Sequence, residues 1–238
     1  MTAFLYGVFL QWKLNMRNKE IVVVYYIVPL VFFLFMGSVF TSIMPDAHQT
    51  LIQSMTIFGV TMGGVIGAPA PLIEMLSSGM KKSYRVGQVP LWSIVLGHFL
   101  SGCIHLFVMS MCIFIVAPIL FNAILPNSLF NYFLSLIFTI VISLGIGTAF
   151  GLYVNKSSQV GMITQIIFLP SVMLSGIMFP VNLLPQFLQM IGKVIPASWC
   201  YSAMISSNDF NNFILLTLIV IIIMFICLWK LKRIYKED

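Results

Sequence analysis

Residues 74–120 read EMLSSGMKKSYRVGQVPLWSIVLGHFLSGCIHLFVMSMCIFIVAPIL, and this stretch decides what kind of protein the chain is. Its first part is polar and carries Glu74, Lys81, Lys82 and Arg85, whereas no Asp, Glu, Lys or Arg occurs from Leu91 to Leu120. A helix rises about 1.5 Å per residue, so about 20 apolar residues cross a hydrocarbon core about 30 Å thick. Charge within that core is costly, which is why such runs exclude it. The segment 91–120 is therefore a membrane span long enough to tilt or to extend beyond the bilayer. The basic stretch before it belongs on the cytoplasmic side, because Lys and Arg in short loops stay behind during insertion.

The same grammar extends in both directions. Apolar runs at about 21–43, 51–73, 91–120, 129–153, 159–178 and 211–229 make six spans in an all-α integral membrane fold. The connection 44–50 holds Pro45, Asp46 and His48, and 121–128 holds Asn122, Pro126 and Asn127; both lack Lys and Arg and are external. The turn 155–158 contains Lys156, and Lys230, Lys232, Arg233 and Lys236 follow the last span. With both termini cytoplasmic, eleven of the 12 Lys and Arg fall inside and only Lys193 is outside. An odd number of spans would destroy that partition.

Composition agrees. The chain is 60% hydrophobic and 8% charged, with a mean hydropathy of +1.05, so lipid must cover most of its surface. A soluble domain carries roughly a quarter charged residues. The net charge of +6 comes from cations flanking apolar runs, not from a basic face, so nucleic acid is not an expected partner; membrane lipid is. The four cysteines show no ligand spacing, and neither a disulfide framework nor a metal site is expected. Lys13, Arg17, Lys19 and Glu20 precede the first long apolar run, so no cleavable signal peptide is expected.

Three local features modify the plain six-span picture. Over residues 2–19, Phe4, Leu5, Val8, Phe9, Trp12 and Met16 recur at helical spacing, while Gln11, Lys13, Asn15 and Arg17 fill the other side. This reads as an amphipathic helix in the cytoplasmic interface with Trp12 at headgroup depth. The second span is rich in small residues, with a GxxxG pair at Gly63 and Gly67, and the fourth has Gly145, Gly147 and Gly151; such faces let helices approach closely. Pro69 and Pro71 should bend or break the cytoplasmic end of the second span. Between spans five and six, the external stretch 180–206 contains two apolar pieces, about 184–191 and 197–205, too short to cross. They read as short re-entrant helices whose irregular backbone is buried in protein.

Chemistry is conspicuous by what is missing. There is no GxxxxGK[ST], HExxH or GxSxG, and no span carries paired carboxylates, so no catalytic site or ATP-binding loop is expected. His98 and His105 lie seven apart on nearly one face of the third span. They suit a proton relay or a ligand pair, or two separately satisfied neutral side chains, and a relay or a metal also needs partners that the sequence does not supply.

Two segments carry a resemblance. Residues 175–201, SGIMFPVNLLPQFLQMIGKVIPASWCY, place Gly176, Phe179, Pro180, Pro185, Pro196 and Trp199 in a small-Gly-aromatic-Pro element followed by two further prolines. Residues 74–90 place Glu74, Gly79, Lys81, Lys82, Arg85 and Pro90 ahead of the third span. Together with the span pattern they resemble the membrane subunit of type-2 ATP-binding-cassette exporters. The resemblance implies a separate ATPase subunit that binds ATP and Mg, a coupling helix over 75–87 docking on it, and a second permease subunit, identical or not. It also implies outward movement of an amphipathic or lipid-like molecule, peptide or drug across the cell's inner (plasma) membrane. The residues alone leave open a self-sufficient secondary transporter or channel, an intramembrane enzyme, and an assembly or immunity factor.

Overall fold

The computed structural model describes residues 2–206 and 210–237. Its helices are α1 (Thr2–Arg17), α2 (Lys19–Ile43), α3 (Leu51–Met75), α4 (Ser78–Val86), α5 (Leu91–Phe121), α6 (Leu129–Tyr153), α7 (Ser157–Leu174), α8 (Gln186–Gly192), α9 (Pro196–Ile205) and α10 (Phe210–Glu237). Among the described residues six helices, α2, α3, α5, α6, α7 and α10, are long and apolar enough to cross a membrane, and no strand occurs. The chain is an all-α multi-pass membrane protein.

The spans are not equivalent. α3 is the axis of the bundle, wrapped by α2, α5, α6, α7 and α9, and every residue from Leu51 to Thr61 is buried. That explains its composition. A helix with protein on every side has no need of a purely apolar surface, and Gln53, Ser54 and Thr56 sit within it. Thr56 Oγ1 and the Tyr132 hydroxyl of α6 are 2.9 Å apart, and Ser54 donates to the Tyr201 hydroxyl of α9 at 3.2 Å. α10 is the opposite case, an apolar rod largely exposed toward lipid.

Apolar side chains gain little by leaving lipid for one another, so contact area and close approach must hold these helices together. The glycines provide the approach. A Cβ at Gly147 would fall on the carbonyl oxygen of Gly64, and one at Gly64 would lie 2.6 Å from Cβ of Ser143. A Cβ at Gly151 would lie 2.8 Å from Leu72. α3 and α6 therefore cross backbone to backbone. The GxxxG pair serves a different neighbour: Tyr25 of α2 lies across Gly63 and Gly67, and Cβ atoms there would each come within 3.2 Å of its ring. The small-residue faces are used inside this chain.

The prolines of α2 and α3 act by distortion. α2 contains a π turn, Val23–Ile27, just before Pro29, and α3 contains another, Met62–Gly67, just before Pro69. A π turn takes in one extra residue, which relieves the clash a proline ring makes with the preceding turn. The end of α3 that carries Pro69 and Pro71 is thus continuous, distorted but unbroken, through Met75.

Caps set the boundaries. The Asn18 side chain accepts from the Glu20 amide at 3.0 Å and separates α1 from α2. Asn122, left-handed at φ 50°, ends α5, and His48 Nδ1 donates to the Phe121 carbonyl at 2.8 Å to satisfy that terminus. α7 ends at Leu174, four residues short of the boundary read from hydropathy, because Gly176 turns the chain at φ 87°.

α1 packs along the first half of α5. The Phe4 and Trp92 rings stack with centroids 6.3 Å apart, and Trp12 stacks on His105 at 6.2 Å. Asn15, on the polar side of the helical wheel, is only 3% exposed and donates to Ser101 Oγ at 3.0 Å. Trp12 and Asn15 thus both meet α5.

Candidate functional site

One end of the bundle gathers the basic connections. After α3, the Leu76 amide bonds to the Leu72 carbonyl and that of Ser77 to the Glu74 carbonyl, closing the helix and turning the chain into α4. Lys81 N–H returns to Ser77 at 2.9 Å, so α4 starts in register with that turn. It ends at Gly87-Gln88, where Gln88 is left-handed (φ 52°), and Pro90 leads into α5. α4 contacts the last turns of α3 and turns several residues outward: Lys82 and Gly79 are exposed and Val86 is 88% exposed. The side chain of Arg85 lies outside the described residues. Partial burial raises the Tyr84 phenol above its usual range.

Glu74, Ser77, Lys81, Asn155, Ser157 and Lys230 line one hollow of about 710 Å³ beneath α4. The connection before α5, the turn between α6 and α7, and the last turns of α10 therefore meet at one end. Lys230 Nζ stands 5.0 Å above the centre of the Tyr153 ring, a cation–π contact that joins α10 to the end of α6.

At the other end, 176–206 forms a folded hairpin. Gly176 makes its first bend, with Val181 and Tyr201 where a side chain would be. Pro180 precedes a short 3-10 turn, Val181–Leu183; Pro185 caps α8, and Pro196 occupies the first turn of α9. The corner between the two helices is bonded locally. Trp199 Nε1 donates to the Lys193 carbonyl at 2.8 Å, and Ser198 Oγ to that of Gly192 at 2.6 Å. Gly192 is glycine because the Leu174 carbonyl lies 2.5 Å from where its Cβ would be. α9 packs on α3, α6 and α10, with Ala197, Cys200 and Ala203 buried, whereas α8 lies on α7 and leaves Phe187 and Met190 exposed. Phe179 is partly exposed at the mouth of this hairpin. A hollow of about 610 Å³ runs between the end of α2 and 176–183, lined by Phe40, Ile43, Gly176, Pro180 and Tyr201.

A basic helix thus lies at one end of the bundle and a proline-punctuated hairpin at the other. The family model described as ABC-2 type transporter matches residues 3–208. The chain belongs to the ABC-2 type transporter family. A relative in Bacillus subtilis (strain 168), named "Putative transport permease YvfS", is 26% identical over 198 residues, covering 79% of this chain and 78% of that protein. No solved structure matches.

Within this ABC-2 transporter chain, the two histidines are placed apart. His98 Nε2 donates to the Ala68 carbonyl of α3 at 3.0 Å, beside the Pro69-Ala70-Pro71 segment. His105 Nδ1 pairs with the Tyr26 hydroxyl of α2 at 2.8 Å and is surrounded by the rings of Trp12, Tyr25 and Tyr26. Each histidine fastens α5 to a different neighbour. Asn15, Gln53, Thr56 and Tyr132 are interior residues that the sequence reading missed; their only signal is polarity inside or beside an apolar run.

Proposed function

We propose that this chain is the permease half of an ATP-driven exporter. Family membership over residues 3–208 carries the reading, and α4, at the cationic end, supports it. Glu74, Gly79, Lys81, Lys82 and Arg85 form the coupling element, which inserts into a groove of a separate ATP-binding-cassette ATPase; ATP and Mg bind there and not here. Two permease subunits face each other in the plasma membrane with their termini in the cytoplasm. Nucleotide-driven closure of the paired ATPases favours one arrangement of the permeases through differential contacts at α4. Because α4 follows directly from α3, the axis of the bundle, force applied to it reaches the core by the shortest route. The hairpin bearing Gly176, Phe179, Pro180, Pro185, Pro196 and Trp199 closes the outer end. The cargo is an amphipathic or lipid-like molecule, peptide or drug moved outward.

The test replaces Lys81, Lys82 and Arg85 together by Glu. Co-purification of the partner ATPase and its permease-stimulated hydrolysis should both fall, while membrane insertion and the elution volume of the permease stay unchanged. Wild-type pull-down and wild-type stimulation in the triple variant would remove α4 as the coupling element.

A further inference from the structure

Gln53 stands near the start of α3, within the run Leu51–Thr61 in which every residue is buried. It is only 5% exposed, and its Oε1 has no hydrogen-bond partner. One turn further along the helix Thr56 is also buried, but its hydroxyl meets that of Tyr132. The polarity of Thr56 is therefore satisfied inside the bundle, and that of Gln53 is not. A buried acceptor left unpaired is costly, so a donor from elsewhere has something to gain at this position.

Gln53 lines a hollow of about 260 Å³ where the start of α3, the connection 124–128, the first turn of α6 and the end of α9 meet. Gln49, Asn127 and Asn131 bring three more amides to the same wall. Ser128 also lines it; its Oγ accepts from the Asn131 main-chain N–H at 3.3 Å, which leaves the hydroxyl proton to be given elsewhere. Ile124 and Met204 form an apolar side. Among the described residues that line the hollow none is charged.

This lining is selective. An ion would leave water for a wall with no countercharge, and a hydrocarbon would leave the amides unpaired. An amide offers a donor and an acceptor side by side, and the last torsion of a glutamine is soft, so Gln53 can turn either end to a guest. The matching group also donates and accepts, as adjacent hydroxyls do. The hollow is smaller than the sites of about 300–1,000 Å³ that take drug-sized molecules, so it holds one ring and not an extended chain. We propose that it binds one neutral sugar ring, carried by a glycolipid headgroup or by a free saccharide. The ring hydroxyls pair with the amides of Gln53 and Asn127, and its C–H face rests on Ile124 and Met204. This site is independent of whether the chain is an exporter and of what it moves.

The test is saturation-transfer NMR on the full chain in phosphatidylcholine nanodiscs, purified in a detergent without sugar, with the methyl glycosides of glucose, galactose and mannose as probes. At least one glycoside should draw saturation above the level of empty nanodiscs. Gln53→Met keeps the length of the side chain and removes the amide; it should weaken that glycoside at least tenfold and unfold no earlier than the wild type. Asn127→Ala, in an exposed connection, should weaken it at least threefold in protein of unchanged elution volume. A diacylglycerol bearing the same single sugar, added to the nanodisc, should abolish the signal if the site takes a headgroup and leave it intact if it takes free saccharide. No transfer from any of the three glycosides would overturn the proposal, as would wild-type affinity in either variant. Earlier unfolding of Gln53→Met would also overturn it, since the amide would then be paired within the protein. So would tighter binding of a blocked alanine dipeptide than of every glycoside, which would make the hollow a peptide site.

Discussion

The crossing of α3 and α6 allows a sharp test through Gly147→Ala. The added Cβ would land on the carbonyl oxygen of Gly64, which is backbone and has no rotamer to escape into. Restoring ordinary contact there requires the two helices to part by about 1 Å. The neighbouring close approaches, Gly64 to Ser143 and Gly151 to Leu72, would be loosened by the same movement. Overpacking of this kind costs about 1–3 kcal/mol, and the rigid obstacle places Gly147→Ala toward the upper end. Each kcal/mol is about a fivefold change in the ratio of folded to unfolded protein. Two controls separate this from a general effect of the substitution. Cβ atoms at Gly97 of α5 and Gly161 of α7 would have nothing within 4 Å, so alanine at either should be neutral or add up to about 1 kcal/mol of helix stability. The assay is thermal unfolding in one detergent, followed by loss of monodisperse protein, with insertion checked by membrane fractionation. If Gly147→Ala unfolds at the same temperature as the wild type and the two controls, the backbone-to-backbone crossing is wrong.

Three further outcomes are expected. Gly176→Ala places a side chain in a left-handed conformation at φ 87° with Val181 2.9 Å away, which should cost about 1–2 kcal/mol and speed hydrogen exchange in 177–183; unchanged exchange would contradict it. Asn15→Ala removes the 3.0 Å bond to Ser101, worth about 0.6 kcal/mol for polar pairs between membrane helices, and should make α1 easier to clip with protease while the bundle stays intact; equal clipping rates would show that this bond does not hold α1. With the four native cysteines replaced, a single cysteine at Asn127 should react with an impermeant thiol reagent from outside the cell and one at Ser157 should not; the reverse pattern would invert the orientation.

The spans are legible in the sequence because the cost of charge in hydrocarbon is written into composition, one run at a time. Six apolar stretches were enough to identify six helices to within a few residues at most ends. α10 runs as helix to Glu237, eight residues past its apolar run, because a helix can continue into water; the departure at α7 is more instructive. Hydropathy continues through Ile177, Met178 and Phe179, but the backbone has already turned at Gly176, and apolarity carries no record of φ. The roles of the helices were less visible. Nothing in the alternation of residues says that α3 is central; its small and polar residues are consistent with that place but also with a lipid-facing helix meeting a partner. Asn15 shows the other limit. A helical wheel assumes that polar means solvent, and it fails where a neighbouring helix offers a hydroxyl at the right height, as Ser101 does. The residues of α4 were singled out through resemblance, and the structure sets one of them, Lys81, beside Glu74, Asn155 and Lys230.

The two π turns have a consequence for motion. Val23–Ile27 and Met62–Gly67 lie side by side, meshed through the Tyr25 ring lying across Gly63 and Gly67. Relaxation of either turn to ordinary pitch would swivel the rest of its helix by about 100°, the angle one residue subtends. Tyr25 would then leave its seat, so neither thread can slip by a residue unless its mate slips too.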